Sequence, residues 1–317
     1  MEFQTKPEIA LGQIDRVLAN GVRFAAWTFD ELYGRDGKFL DGLELREQVF
    51  VAEVPVDFHG WVREPKILQE GLKNTEIGRP RDYPRLAAGY HSSEVRNLAM
   101  YSPVFRKQPW QRYRIKDSQK GPEVWEIKWG VFWRKDRDGL PGRRHTLIVA
   151  RNVLSGEMKY FVANRVPGED DVTLEWLLWV AFSRWPVERC FRETKDELGM
   201  DHYQVRGWRC IHRHYYITQL SQLFCARVRH EYELEKGDSE ERLTIEQVRG
   251  AACAYLEATD MMATARRERY QKELDKIDYH QCRNRQACKS HTKTRIERLQ
   301  QLGINVDQLP TCQPDDW

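Results

Sequence analysis

Two places in the chain join residue type to position in a way that suits chemistry. The first is Asp30. It ends an apolar run, 22–29 (VRFAAWTF), of strand length. In open α/β sheets functional groups gather at the carboxyl ends of strands. The ordinary alternative is that Asp30 caps the next turn or helix. The second place is 184–199, RWPVERCFRETKDELG. Read as a helix at ~100° per residue, it puts Glu188, Arg192 and Lys195 on one face. Val187, Phe191, Thr194 and Leu198 fall on another, which is the expected core side. Pro186 suits a first helical turn, so Arg184 sits just ahead of it at the same end, and Gly199 is the natural C-cap. A carboxylate is thereby presented beside cations. A surface helix carrying a Glu188–Arg192 pair is the plain alternative.

Other residues invite weaker readings. Trp125, Trp129 and Trp133 share one face of a strand; they suit stacking on unpaired bases, and more ordinarily the core of a small sheet. His212 and His214 suit phosphate contact, but i,i+2 on a helix separates them by ~200°, which argues against one shared metal. His280, Cys282, Cys288 and His291 have a spacing unlike familiar zinc sites. From 266 to 298 there are 11 Lys/Arg against 5 Asp/Glu, net +6, which suits a phosphate backbone or a solvated helix.

These residues need elements to position them. Thr5, Pro7 and Glu8 mark a helix start with capping-box spacing, and Asn20-Gly21 ends it. The apolar run 22–29, an amphipathic stretch carrying Phe39, Leu40, Leu43 and Leu45, and a buried strand at 49–54 continue an α/β alternation. From 55 to about 106, Pro, Gly and charges replace the periodicity. Strands are expected at 125–133 and 146–152, and 158–166 should pair back across the Ser155-Gly156 turn. From 171 the chain turns helical, at 174–182, 187–198 and 212–232. A charged linker comes next at 235–242, then helices at 245–259 and 264–278 and a basic tail. The resulting division is 1–54, a β-rich insertion at 55–170, 171–233, and a helical, basic 234–317.

Composition narrows the class. The chain has 317 residues, 41% hydrophobic and 31% charged, which is globular and too apolar for a disordered chain. No apolar run approaches the ~18 residues of a membrane span. Seven scattered cysteines do not form a disulfide framework. The opening MEFQTKPEIA lacks a signal pattern, so a cytoplasmic protein is expected. Net charge is only +3 and says nothing about nucleic acid.

Arg184-x3-Glu188-x6-Lys195 resembles the Y-x2-R-x3-E-x6-K signature of DDE-type insertion-sequence transposases. LGMDHYQVRGW (198–208) with His212-Arg213-His214 resembles the stretch directly after that signature in one branch of the family. FDELYG (29–34) resembles the segment around the family's second catalytic aspartate. The likeness runs from KPEIAL (6–11) to the HRH run. It implies an α/β, ribonuclease-H-like core, interrupted by the β-rich insertion, in which three carboxylates hold two Mg²⁺ ions for in-line phosphoryl displacement. By resemblance Asp30 is the second carboxylate and Glu188 the third. Arg184, Arg192, Lys195, His212 and His214 would meet DNA phosphates. The implied partners are transposon ends and target DNA, with a homodimer in the transposition complex and no membrane.

The sequence departs from the pattern twice. The signature's Tyr position is Ala181. The first catalytic aspartate would lie on a strand ahead of the helix at 7–19, and Asp15, mid-helix, cannot replace it. The expectation is the C-terminal portion of a transposase, inactive alone, with the strand at 22–29 on an exposed sheet edge. A remnant that only binds DNA or a complete transposase is the alternative.

Overall fold

The computed structural model describes residues 3–69, 83–236 and 243–312. Most of the linker expected at 235–242 lies outside the described residues. The fold is mixed α/β, and the chain divides into two compact units. The first holds residues 1–118, 122–184 and 296–317; the second holds 119–121 and 185–295.

The first unit opens as the punctuation predicts. Helix α1 is Lys6–Ala19, and Thr5 and Glu8 close a reciprocal capping box. Strand β1, Trp27–Phe29, leads to the short α2, Glu31–Gly34, then α3, Gly37–Leu45, and β2, Phe50–Glu53. β1 and β2 are parallel, with Phe29 opposite Ala52. The helices between them provide the crossover a parallel pair requires.

The segment after β2 supplies β3, His59–Trp61, then β4, Ile67–Leu68, and β5, Arg85–Leu86, a separate two-stranded pair. β6, Ser93–Glu94, precedes the short helices α4, Val95–Tyr101, and α5, Pro103–Arg106. The long strands come after: β7, Gln111–Ser118; β8, Gly121–Lys135; β9, Pro141–Asn152; and β10, Met158–Ala163. The β9–β10 hairpin forms in the expected register, Met158 opposite Arg151 and Ala163 opposite Thr146. β10 also pairs with β2, Phe161 opposite Glu53. One sheet therefore runs in the order β1-β2-β10-β9-β8-β3-β6, with β7 on β8.

Alternation along the strands fills both faces. Val51, Ile148, Ala150 and Phe161 pack with Leu174, Leu177, Leu178 and Ala181 of α6, Leu174–Phe182, and with Trp125 and Trp129. Leu147, Val149, Val162 and Phe132 pack under Val95, Leu98 and Phe105. Phe50 and Ala52 meet Ile14, Phe39, Leu40 and Leu43 of α1 and α3. The tryptophan stripe is thus core material at Trp125 and Trp129. Buried ion pairs pin α3 to the strands. Arg134, buried, donates to Asp41 and to the Gly37 carbonyl and forms an ion pair with Asp136 at 3.2 Å. His145, also buried, faces Glu44 across 2.7 Å.

Two expectations in this unit need correction. Only 27–29 of the run 22–29 is strand, and Val22 and Phe24 are exposed. β1 ends the strand order, and among the described residues β2 alone pairs with it, so the residues before Trp27 join no ladder there. Leu45, one of the apolar residues of the expected amphipathic stretch, is 76% exposed at the last helical position of α3.

The second unit is helical: α7, Trp185–Leu198; α8, Trp208–Lys236; α9, Ile245–Ala258; and most of α10, Ala263–Gln301. Its small core joins Leu198, Cys225, Val228, Ile245 and Val248. An Arg249–Glu197 pair at 3.2 Å adds to it. The expected helix 264–278 and basic tail form one continuous 39-residue helix. His280, Cys282, Cys288 and His291 all lie along it. No helix among the described residues is long and apolar enough to cross a membrane.

Candidate active site

Asp30 stands immediately after β1. Its backbone is still extended, and its Oδ1 accepts from the Leu32 N–H at 3.1 Å, capping α2. The strand-tip and capping readings are therefore compatible in one residue. One carboxylate oxygen serves the cap, and the geometry fixes the side chain at the carboxyl end of the parallel pair.

The neighbouring strand ends on a second carboxylate. Phe29 pairs with Ala52, so Asp30 and Glu53 occupy the next register positions. Gly34 locks this corner: a Cβ there would lie 2.0 Å from the Glu53 carbonyl oxygen, so α2 can rest on β2 only without a side chain. Glu53 is largely buried. Lys159 Nζ bridges its Oε1 at 2.7 Å, and Arg184 Nε lies 3.9 Å from its Oε2. Arg184 is thus next to the strand ends, in the unit that holds Asp30. Sequence reasoning missed Glu53. Its signal is present in VFVAEV, where an acid closes the second buried strand just as Asp30 closes the first.

Asp15 is committed elsewhere. Arg46 donates to both its oxygens, at 2.6 and 2.7 Å. That hydrogen bond holds the Asp15 carboxyl below its ordinary value. Ala181, at the signature's Tyr position, is buried in the sheet core.

Glu188, Arg192 and Lys195 are all exposed on α7, in the second unit, and the helix period puts them on one face. The helix ends at Gly199, φ +68°, whose N–H donates to the Lys195 carbonyl in an αL cap, and the Met200 N–H donates to the Thr194 carbonyl. The expected core side is only half right. Thr194 is buried and Leu198 packs on Cys225 and Ile245, but Val187 and Phe191 are each 48% exposed. The small core of this unit reaches only the C-terminal half of α7.

The two histidines part company on α8, as their spacing requires. His214 faces inward, its Nε2 2.8 Å from the Gly199 carbonyl, and fastens the α7–α8 connection. His212 lies between Trp208 and Tyr216, with ring centroids 4.1 and 6.1 Å away.

No three His, Cys, Asp or Glu side chains among the described residues are grouped to hold a metal. At the strand ends the carboxylates are placed differently for a hard cation. Asp30 offers carboxylate oxygen, and Glu53 is charge-balanced by Lys159 and Arg184.

No curated protein matches the sequence. Residues 1–122, which include Asp30 and Glu53 and stop before Glu188, match the family model described as DDE superfamily endonuclease. That segment is similar to the DDE superfamily endonucleases.

Proposed function

We propose that this protein is the transposase of a bacterial-type insertion sequence, cleaving DNA ends and joining them to a target with divalent-metal assistance. The observation that carries the reading is Asp30 at the tip of a parallel strand pair, inside the matched span. Glu188 is the further carboxylate on this reading, from the Arg184-x3-Glu188-x6-Lys195 spacing. A pair of Mg²⁺ ions, once bound, would supply charge stabilisation for the phosphoryl displacement. The chain's own residues do the rest. Asp30 and Glu188 present hard oxygen ligands. Arg184 offers a planar fork to a phosphate beside the scissile bond, while Lys195 and Arg192 add positive charge on the Glu188 face. Residues 55–170 are read as an insertion between these two carboxylates, and the working assembly as a homodimer on DNA in the cytoplasm.

A second reading draws on Asp15. With both oxygens held by Arg46, it does not serve as the first carboxylate of the triad. On this second reading the protein acts as a DNA- or transposase-binding remnant.

The test is cleavage of DNA carrying the terminal repeats that flank the gene, in Mg²⁺ or Mn²⁺. The expected result is cleavage that Asp30→Ala and Glu188→Gln each reduce by about a thousandfold or more, of the order lost with a main electrostatic contributor. Cleavage indifferent to both substitutions overturns the site. Cleavage appearing only when a segment encoding a further strand and aspartate is fused ahead of residue 1 selects the incomplete triad. DNA binding without cleavage in either form selects the remnant.

A further inference from the structure

α8 carries an outer face that the core of its unit does not use. Thr218, Gln222 and Cys225 point inward and are buried. Trp208 is 71% exposed and Tyr216 67% exposed, one on each side of His212 at i, i+4 and i+8. Ring centroids at 4.1 Å (Trp208–His212) and 6.1 Å (His212–Tyr216) make the three a continuous aromatic strip. Arg209 and Arg213 lie alongside on the same half of the helix, both exposed. Between 202 and 230 there are five arginines and no Asp or Glu.

A monomer's exposed aromatic strip calls for an occupant. Two copies of this face would set arginine against arginine, which disfavours self-pairing. A polyanion with stackable π-faces meets both features: its bases lie on the rings, and its phosphates meet the guanidinium groups. We propose that the Trp208–His212–Tyr216 strip is a stacking platform for an unpaired DNA strand, with Arg209 and Arg213 holding its backbone. The proposal rests on the DNA-acting reading above and deepens it, from a duplex cut to a strand held open.

The experiment separates the two. The full chain is titrated against a fluorescent thymine homopolymer and its duplex with adenine, in EDTA, by anisotropy. No metal and no transposon sequence is present, so failed cleavage in the earlier assay does not decide this one. Trp208→Ala and Tyr216→Ala should each weaken single-strand binding about tenfold, the loss of roughly one stacked base. Duplex binding should move less than about twofold. The salt dependence should persist in both, whereas Arg213→Ala should lower its slope by about one. Trp208→Phe should recover most of the affinity, and the exposure of both rings predicts unchanged melting. Absent single-strand binding, aromatic variants that bind as the parent does, or equal losses on duplex each overturn the platform. So does a concentration-dependent dimer that Trp208→Ala dissolves.

Discussion

The sheet unit and the helical unit spend their aromatic residues differently. In the first, Phe39, Phe50, Phe105, Phe132 and Phe161 are all buried, because helices cover both faces of the sheet. In the second, Trp208, Tyr216 and Phe224 of one helix remain exposed. Apolar content alone does not create a core; a second layer must lie against it. The contrast teaches where to look for stability and where to look for contact with other molecules.

The contrast breaks if the buried contacts of the sheet unit prove dispensable. Phe39→Ala should cost ~3–5 kcal/mol, through lost transfer energy and a cavity under β1 and β2. Glu44→Gln or His145→Ala disrupts a buried hydrogen-bonded pair, and each should cost about 1–3 kcal/mol in denaturant unfolding. A loss under ~1 kcal/mol at these positions would mean that α3 is not fixed to the strands.

A pH titration sharpens the same point. Burial alone would raise the Glu44 carboxyl. The hydrogen bond and charge of His145, with Arg134 and Arg143, outweigh it and hold the group below its ordinary value. A depressed carboxyl stabilises the fold above its unfolded pKa, and that contribution is lost as pH falls through the folded one. The stability gap between the parent and Glu44→Gln should therefore be full near neutrality and narrow below the ordinary carboxylate range. A gap that is constant with pH would sink the ionised Glu44 carboxylate.

The helical unit should respond far less to comparable surgery. Leu220→Ser and Leu223→Ser on α8 should each shift stability by no more than about 0.5 kcal/mol. Larger costs would show that this face is covered. Smallest of all is the effect of thiol labelling. Cys190, Cys210, Cys253 and Cys282 are exposed and should react in the native protein. Cys312 should not react until denaturant is added, because burial, with the Glu175 charge beside it, pushes its thiol up to about 12.

Sequence and structure agree where a local rule decides the outcome. The Thr5–Glu8 box, the Gly199 stop and the hairpin around Ser155-Gly156 need only a few neighbouring residues to be read. Asp30 is legible because a polar residue ends an apolar run. The hidden features depend on distant partners. The shortness of β1 comes from its having β2 as its one neighbour in the strand order. The engagement of Glu53 comes from Lys159 and Arg184, more than a hundred positions away. Exposure of Val187 and Phe191 reflects where α8 and α9 end their core. The helical period holds for α7, yet a period says which residues share a face and not how far along it a partner extends.

The pairing of β2 with β10 has a consequence during synthesis. β2 ends at residue 53 and β10 at residue 163, a gap of 110 positions. At roughly 5–20 residues per second, the ribosome needs on the order of 5–20 s to deliver the second strand after the first. Throughout that interval one edge of Phe50–Glu53 has no partner of its own, and Val51 waits for the α6 helix that will cover it. A nascent chain in this state offers an open, apolar strand to any other chain translated beside it.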